Sequence, residues 1–456
     1  MTRVLLVQAC FSYKTENKDY DATMPLGLIY IGTMLEKYNH KVKIFDRNLG
    51  DNIKNEVLIK ELKRFDPDIV GISTMTGRVL YDALNVSKVV KENSNALVIW
   101  GGFHPTAVPR NTLEHPLVDH IVRGEGEYTM LEIANLIEKG RDISKVKGLD
   151  LNPFRSFANL DELPFPNYDL VNVKNYDMFY ISTSRGCPYR CAFCYNNYLW
   201  GKKRFENYRN LSTQNSIELI TRLYEKYKDK RICIPDDNFP SNKKRALEIL
   251  KNIQHLDLKM FIFSRVNLVN EEILKAYKKA GVWTLQMGIE SGSQRVLNFL
   301  KKGTTVQQGR DAIRKCRKFK IFSGASFMIG TPDETMEDLN QTIHFIKQNP
   351  PDYIGLGIYQ PLPPTETYDY CIKRGLINEP KSIEEWAQQS DFHYMTINVS
   401  KIPDDILMKV KMSIERRILY RGYLKKLFRI LSEGNLPNWK RVKHAIKHLG
   451  IITFKK

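Results

Sequence analysis

Short apolar runs alternate with helix-period segments twice along this chain, and that alternation leaves few folds open. In the first stretch the runs fall at residues 4–7, 42–45, 69–72, 97–100 and 120–122, with helical spacing over 26–38, 55–65, 81–90 and 129–137. Runs that are apolar throughout and joined by helices belong to a parallel sheet covered on both faces. This predicts a doubly wound, Rossmann-like α/β domain over residues 1–140, with ligands at the carboxyl ends of its strands. Residues 141–178 carry Pro153, Pro164 and Pro166 and little periodicity. Proline disfavours helix in the residue before it, so this stretch reads as an ordered linker. Alternation resumes over 179–375, with runs at 180–183, 232–235, 260–264, 284–289, 323–329 and 353–358. Six βα units predict a partial (β/α)6 barrel, again with its chemistry at the carboxyl ends of the strands. Residues 376–456 form a helical basic C-terminal region.

A chain of 456 residues is too long for one ordinary core, which agrees with two or three domains. The opening run Met1 to Val7 ends at Gln8, too short for a secretory leader, and no apolar run nears the roughly 20 residues that cross a bilayer. A cytoplasmic protein is expected. The net charge of +19 asks for an anionic partner.

Three of the seven cysteines stand together in Ser184-Arg185-Gly186-Cys187-Pro188-Tyr189-Arg190-Cys191-Ala192-Phe193-Cys194-Tyr195. The spacing C-x3-C-x2-C points three thiolates at one centre. Three is one short of a closed tetrahedral zinc site or a fully ligated cluster. A [4Fe–4S] cluster on three thiolates keeps one iron open to a substrate-like molecule. A zinc knuckle with a distant fourth ligand, or three unrelated thiols, are the plain alternatives. Cys10, Cys233, Cys316 and Cys371 are scattered and read as reduced core thiols.

The motif C-x3-C-x-Φ-C, with Phe193 as the aromatic Φ, resembles the signature of the radical S-adenosylmethionine (SAM) enzymes. The resemblance implies that Cys187, Cys191 and Cys194 hold a [4Fe–4S] cluster whose open iron is chelated by SAM. Reductive cleavage then yields a 5′-deoxyadenosyl radical. Further strand-end phrases resemble the same family. Asp236 and Asp237 in Asp236-Asp237-Asn238-Phe239 would meet the SAM amino group, and the plain alternative is a helix cap near Ser241. Glu290, in Gly288-Ile289-Glu290-Ser291-Gly292-Ser293, would bond the ribose hydroxyls. Lys302 would meet the SAM carboxylate, and the backbone at Phe193 would read the adenine edge. Arg265 and Ser326 face the same mouth. A structural ion pair between Arg265 and Glu290 is the alternative there. Pro361-Leu362-Pro363-Pro364-Thr365 resembles the family phrase P-x-P-G-T, with Pro364 in place of glycine.

The first domain resembles the cobalamin-binding domain that precedes the barrel in one branch of this family. Its landmarks are Met24-Pro25-Leu26-Gly27-Leu28-Ile29-Tyr30, then Gly101-Gly102-Phe103-His104-Pro105-Thr106, then Gly124-Glu125-Gly126-Glu127. No G-x-G-x-x-G follows the first run, and no P-loop is present, which disfavours a nucleotide domain. The resemblance implies a corrin pocket made by Ser73, Thr74, Met75, Gly101, Gly102, His104, Gly124, Glu125 and Gly126. The D-x-H-x-x-G motif of corrin proteins that ligate cobalt through histidine is absent.

These resemblances imply a cobalamin-dependent radical SAM enzyme of the group that includes methyltransferases and the anaerobic magnesium-protoporphyrin ester cyclase. Methylation of an unactivated carbon is the favoured expectation. Cyclisation or rearrangement, with or without cobalamin, is the first rival, and a non-catalytic metal-binding interaction protein is the second. An anaerobic setting and an electron donor of flavodoxin or ferredoxin type are implied. From Lys401 onward there are 15 Lys and Arg against 4 Asp and Glu, which accounts for +11 of the charge. Apolar residues from Ile406 to Leu431 recur there at helical spacing. A basic amphipathic helix suits an anionic membrane surface. That suggests a lipid-like or amphiphilic small-molecule substrate and peripheral placement at the inner membrane face. The alternative is a helix that closes the barrel. Nucleic acid is disfavoured, because no aromatic-interleaved base-reading motif accompanies the charge.

Overall fold

The structure is a computed structural model that describes residues 1–11, 23–197, 199, 207–229, 231–389 and 395–432. Contacts divide the described chain into two compact units. The first draws on residues 1–189, 193–235 and 360–391, the second on residues 190–192, 236–359 and 392–456.

In the first unit, β1 (Arg3–Gln8), β2 (Lys41–Asp46), β3 (Ile69–Thr74), β4 (Leu97–Gly102) and β5 (His120–Val122) form one sheet in the order β2-β1-β3-β4-β5. Each neighbouring pair is parallel. Val4, Leu5, Leu6, Val7, Ile69, Val70, Ile72, Val98 and Ile99 are all at most 1% exposed. Burial of both faces is why these runs are apolar throughout and do not alternate. The helices Leu26–Lys37 and Glu127–Glu138 pack together, as do Asn55–Phe65 and Val79–Asn93. Strand order reverses between β1 and β3, which sets a switch point at their carboxyl ends.

That end of the sheet is tied down by charge. Arg47 and Asp82 are fully buried and joined at 2.8 Å. Arg47 also donates to the carbonyls of Asn52 and Ile53, and Asp82 accepts the Cys10 N–H at 2.7 Å. A buried ion pair is tolerated only when its remaining valences are satisfied in this way. The stretch at 141–178 runs through three short 3-10 turns. Each is capped by an asparagine side chain, from Asn159, Asn167 and Asn172, that accepts a backbone N–H two residues on. Tyr176 donates from its hydroxyl to Asp46 at the end of β2.

Strands expected for the barrel fall in both units. The first unit holds β6 (Phe179–Tyr180) and, beyond β7 (Ser184–Arg185) and β8 (Arg209–Asn210), β9 (Arg231–Ile234), with β6 and β9 parallel. The expected strand over 180–183 therefore stops early. Thr183 instead accepts the Leu211 N–H, and β7 turns antiparallel to β8. In the second unit β10 (Lys259–Arg265), β11 (Val282–Glu290), β12 (Phe322–Ile329) and β13 (Tyr353–Ile358) are parallel in sequence order. One face carries Ile262, Leu285, Met287, Ala325, Phe327, Ile354 and Leu356, all buried. The other carries Phe263, Arg265, Gln286, Gly288, Ser326 and Gly355, which the register places side by side. The C-terminal helix Asp404–Ser432 packs along β13.

Candidate active site

Glycine fixes the entry to the cysteine loop. Gly186 has φ +78, and a Cβ there would lie 2.3 Å from the Asn207 carbonyl oxygen, so no other residue fits. Cys187, Cys191 and Cys194 lie within eight consecutive residues and none is in a disulfide. Cys191 is buried, and the other two are partly exposed. In the second unit, Ala192 donates its N–H to the Leu300 carbonyl at 2.9 Å. Among the described residues no three His, Cys, Asp or Glu side chains close on a single ion. A cuboidal cluster does not need that, because each thiolate binds a different iron. Three thiols on one loop, one short of the usual four, suit a [4Fe–4S] cluster that keeps one iron open.

Glu290, Lys302, Arg265 and Ser326, expected at the mouth of the barrel, fall in the second unit with defined partners. Lys302 bonds Glu290 at 2.7 Å, both side chains under 10% exposed. The alternative of an Arg265–Glu290 ion pair is not what the structure shows, since Glu290 pairs with Lys302. Arg265 instead gives Nη1 to Cys191 Sγ at 3.2 Å, Nε to Asn267 at 3.3 Å and Nη2 to the Lys302 carbonyl. Glu290 holds φ +70 beside a register shift in its pairing with β12. A glutamate in the left-handed region is held there by its surroundings, and such positions cluster at functional sites. Gly288 makes room for the pair, since a Cβ there would lie 2.3 Å from Glu290 Oε1 and 2.8 Å from Lys302 Nζ. Ser326 accepts from Gln286 Nε2 at 2.8 Å.

Asp236 is buried and Asp237 exposed. Neither caps the following helix. Lys243–Ile253 is capped by Asn242, whose side chain accepts the Arg245 N–H. Phe193 is partly buried. Pro363-Pro364 is a cis peptide.

In the first unit, the strand ends make a cradle of close backbone approaches. Gly102 has φ +101, and a Cβ there would strike the Thr74 carbonyl at 2.5 Å. The Thr74 hydroxyl bonds the Gly101 carbonyl at 3.1 Å. Ser73 and Met75 flank it, partly buried. His104 is wholly buried, its Nδ1 is 3.0 Å from the Thr76 hydroxyl, and its Nε2 has no partner among the described residues. Burial pulls this imidazole down to about 3, so it is neutral and can offer one further hydrogen bond. That orphaned nitrogen and the cradle fit a large ligand rich in amide groups. Gly124 has φ +83, and Gly126 abuts Ile31. Between them, Glu125 accepts from Arg185 at 3.1 Å, from Arg209 at 2.5 Å and from the Ala158 N–H at 3.0 Å. Burial opposes its charge, yet the two guanidiniums hold its carboxyl below the ordinary range. Arg185 also bonds Glu127. This four-residue network escaped the sequence reading, because its members lie about 60 to 80 positions apart and share no local pattern.

A doubly wound sheet with an open carboxyl edge, followed by a partial barrel with a three-thiol loop, defines an α/β enzyme built around large cofactors. Residues 181–346 match the Radical SAM superfamily, and residues 19–134 match the B12 binding domain. An uncharacterised methyltransferase of Pyrococcus horikoshii is 39% identical over 77% of this chain and 79% of its own length. An anaerobic magnesium-protoporphyrin IX monomethyl ester cyclase of Cereibacter sphaeroides is 29% identical over 75% of this chain and 60% of its own length. The solved radical SAM methyltransferase TsrM of Kitasatospora setae, with cobalamin and a [4Fe–4S] cluster bound, shares the fold. Its TM-score is 0.68 at 18% identity, over 82% of this chain and 78% of that one. The chain belongs to the radical SAM superfamily, in the branch that carries a B12 binding domain ahead of the barrel. It is an enzyme, and its cofactors are a [4Fe–4S] cluster, SAM and cobalamin.

Proposed function

We propose that this enzyme transfers a methyl group from SAM to an unactivated carbon of an amphiphilic small molecule. The observation that carries the reading is the joining of a B12 binding domain to a radical SAM domain in a chain 39% identical to a methyltransferase. When bound, the three cofactors supply one-electron cleavage of SAM, hydrogen abstraction and a carrier for the methyl group. The chain's own residues bind and orient. Cys187, Cys191 and Cys194 would hold the cluster, which would supply the electron for SAM cleavage. Asp236 and Asp237 receive the SAM amino group, Glu290 the ribose, and Lys302 balances the carboxylate. Phe193 and Ser326 border the nucleoside. Ser73, Thr74, Met75, Gly101, Gly102, His104, Gly124, Glu125 and Gly126 form the corrin cradle. A flavodoxin or ferredoxin type protein delivers the electron.

The amphiphilic substrate is inferred from the basic C-terminal helix. Leu407, Ile414 and Ile418 on that helix are buried in the second unit, so any surface it offers a membrane lies on its other positions; residues 433–456 of the basic tail lie outside the described residues. Among the described residues no helix is long and apolar enough to cross a membrane. Liposomes of anionic lipid should float the protein, and its absence from the floated fraction would remove the membrane element of the proposal. The 29% identity to a cyclase keeps one rival. Products from SAM separate them. With reductant and cobalamin, methyl transfer gives both 5′-deoxyadenosine and S-adenosylhomocysteine, and cyclisation gives the first without the second.

A further inference from the structure

One cluster thiol has a partner of its own. Cys191 is buried, and Arg265, only 4% exposed, donates Nη1 to its sulfur at 3.2 Å. The remaining edges of this guanidinium are fixed by Asn267 and by the Lys302 carbonyl. The planar fork therefore joins a cluster ligand to the backbone of the lysine in the SAM-site ion pair.

We infer that Arg265 is a positioning residue for the cluster, setting its reduction potential through the Cys191 thiolate. Reduction adds one negative charge to the cluster. A fixed cation and an N–H···S bond at a ligating sulfur favour the more negative state, so they raise the potential and ease electron entry. Burial keeps that bond undiluted by water. The inference rests on the cluster being held by Cys187, Cys191 and Cys194.

The test is a redox titration of the reconstituted, SAM-free protein, read from the paramagnetic signal of the reduced cluster. Arg265→Gln and Arg265→Met should load iron and shift the midpoint to more negative potential, Met further than Gln. Arg265→Lys, which keeps the cation, should recover most of the shift. An unmoved midpoint with full iron overturns the inference, as does a loss of SAM affinity at unchanged potential. If the variants lose iron, the unmutated protein carrying guanidinium-15N arginine decides. Pulsed magnetic resonance of its reduced cluster should show a 15N coupling, and the absence of coupling overturns the inference. An unmutated protein that takes up no iron at all contradicts the cluster assignment itself, a separate failure.

Discussion

Gly288 shows how little freedom the SAM-side residues have. Its missing side chain is the space that Glu290 and Lys302 occupy. Gly288→Ala must displace one of them, at a cost of about 1–3 kcal/mol from overpacking. SAM affinity should fall with it in equilibrium binding, while iron content stays at the level of the unmutated protein. Glu334 gives a pH prediction. It follows β12 in Gly330-Thr331-Pro332-Asp333-Glu334-Thr335 and is completely buried. Oε2 accepts from the N–H and hydroxyl of Thr331, and Oε1 has no partner among the described residues. Burial pushes its carboxyl up to about 7, against the pull of the Thr331 bonds. The folded protein then binds a proton that the unfolded chain has released. Its stabilising contribution is present below the ordinary carboxylate range and is lost as pH rises toward 7. Denaturant melts of Glu334→Gln should show a flatter pH dependence over that window, by up to about 3 kcal/mol. An identical slope in mutant and parent would place this proton elsewhere.

Among the elements, strands buried on both faces were the most legible. The runs at 69–72 and 97–100 match β3 and β4 closely, because nothing but a covered parallel sheet hides so continuous an apolar run. The run at 180–183 misled, since its second half, Ser182-Thr183, already leads into the turn toward Gly186 and the strand is Phe179–Tyr180. The aspartates after β9 carried a real polar signal, but the cap fell to Asn242, the residue directly before the helix. Glu290 stood in a family phrase and Lys302 was read as a positive charge one helix later, but their pairing carried no sequence signal. Arg265's partner was not, since 74 positions separate it from Cys191 and no periodicity spans them. The C-terminal helix read equally well as a membrane face or a barrel cover. In the structure Leu407 is buried over Gly330, and Lys411 donates to the Leu356 carbonyl at 2.8 Å. Leu407→Ala should cost about 2–5 kcal/mol in denaturant melts. A change near zero would mean that this helix is not part of the barrel's stability.

At the scale of the whole molecule, one chain carries two metal cofactors on two kinds of α/β sheet. The +19 charge belongs to this scale, and 11 of those charges lie beyond residue 400. The cradle of Thr74, Gly102 and His104 belongs to the first unit, and the Lys302–Glu290 pair with Arg265 belongs to the second. The most direct measurement is anaerobic reconstitution with iron, sulfide and hydroxocobalamin, followed by desalting and assay of iron, sulfide and corrin per chain. About four irons and about one corrin should be retained together, with iron lost and corrin kept when Cys191 is changed to Ala. Zinc in place of iron, or a full cluster with no retained corrin, would contradict that reading.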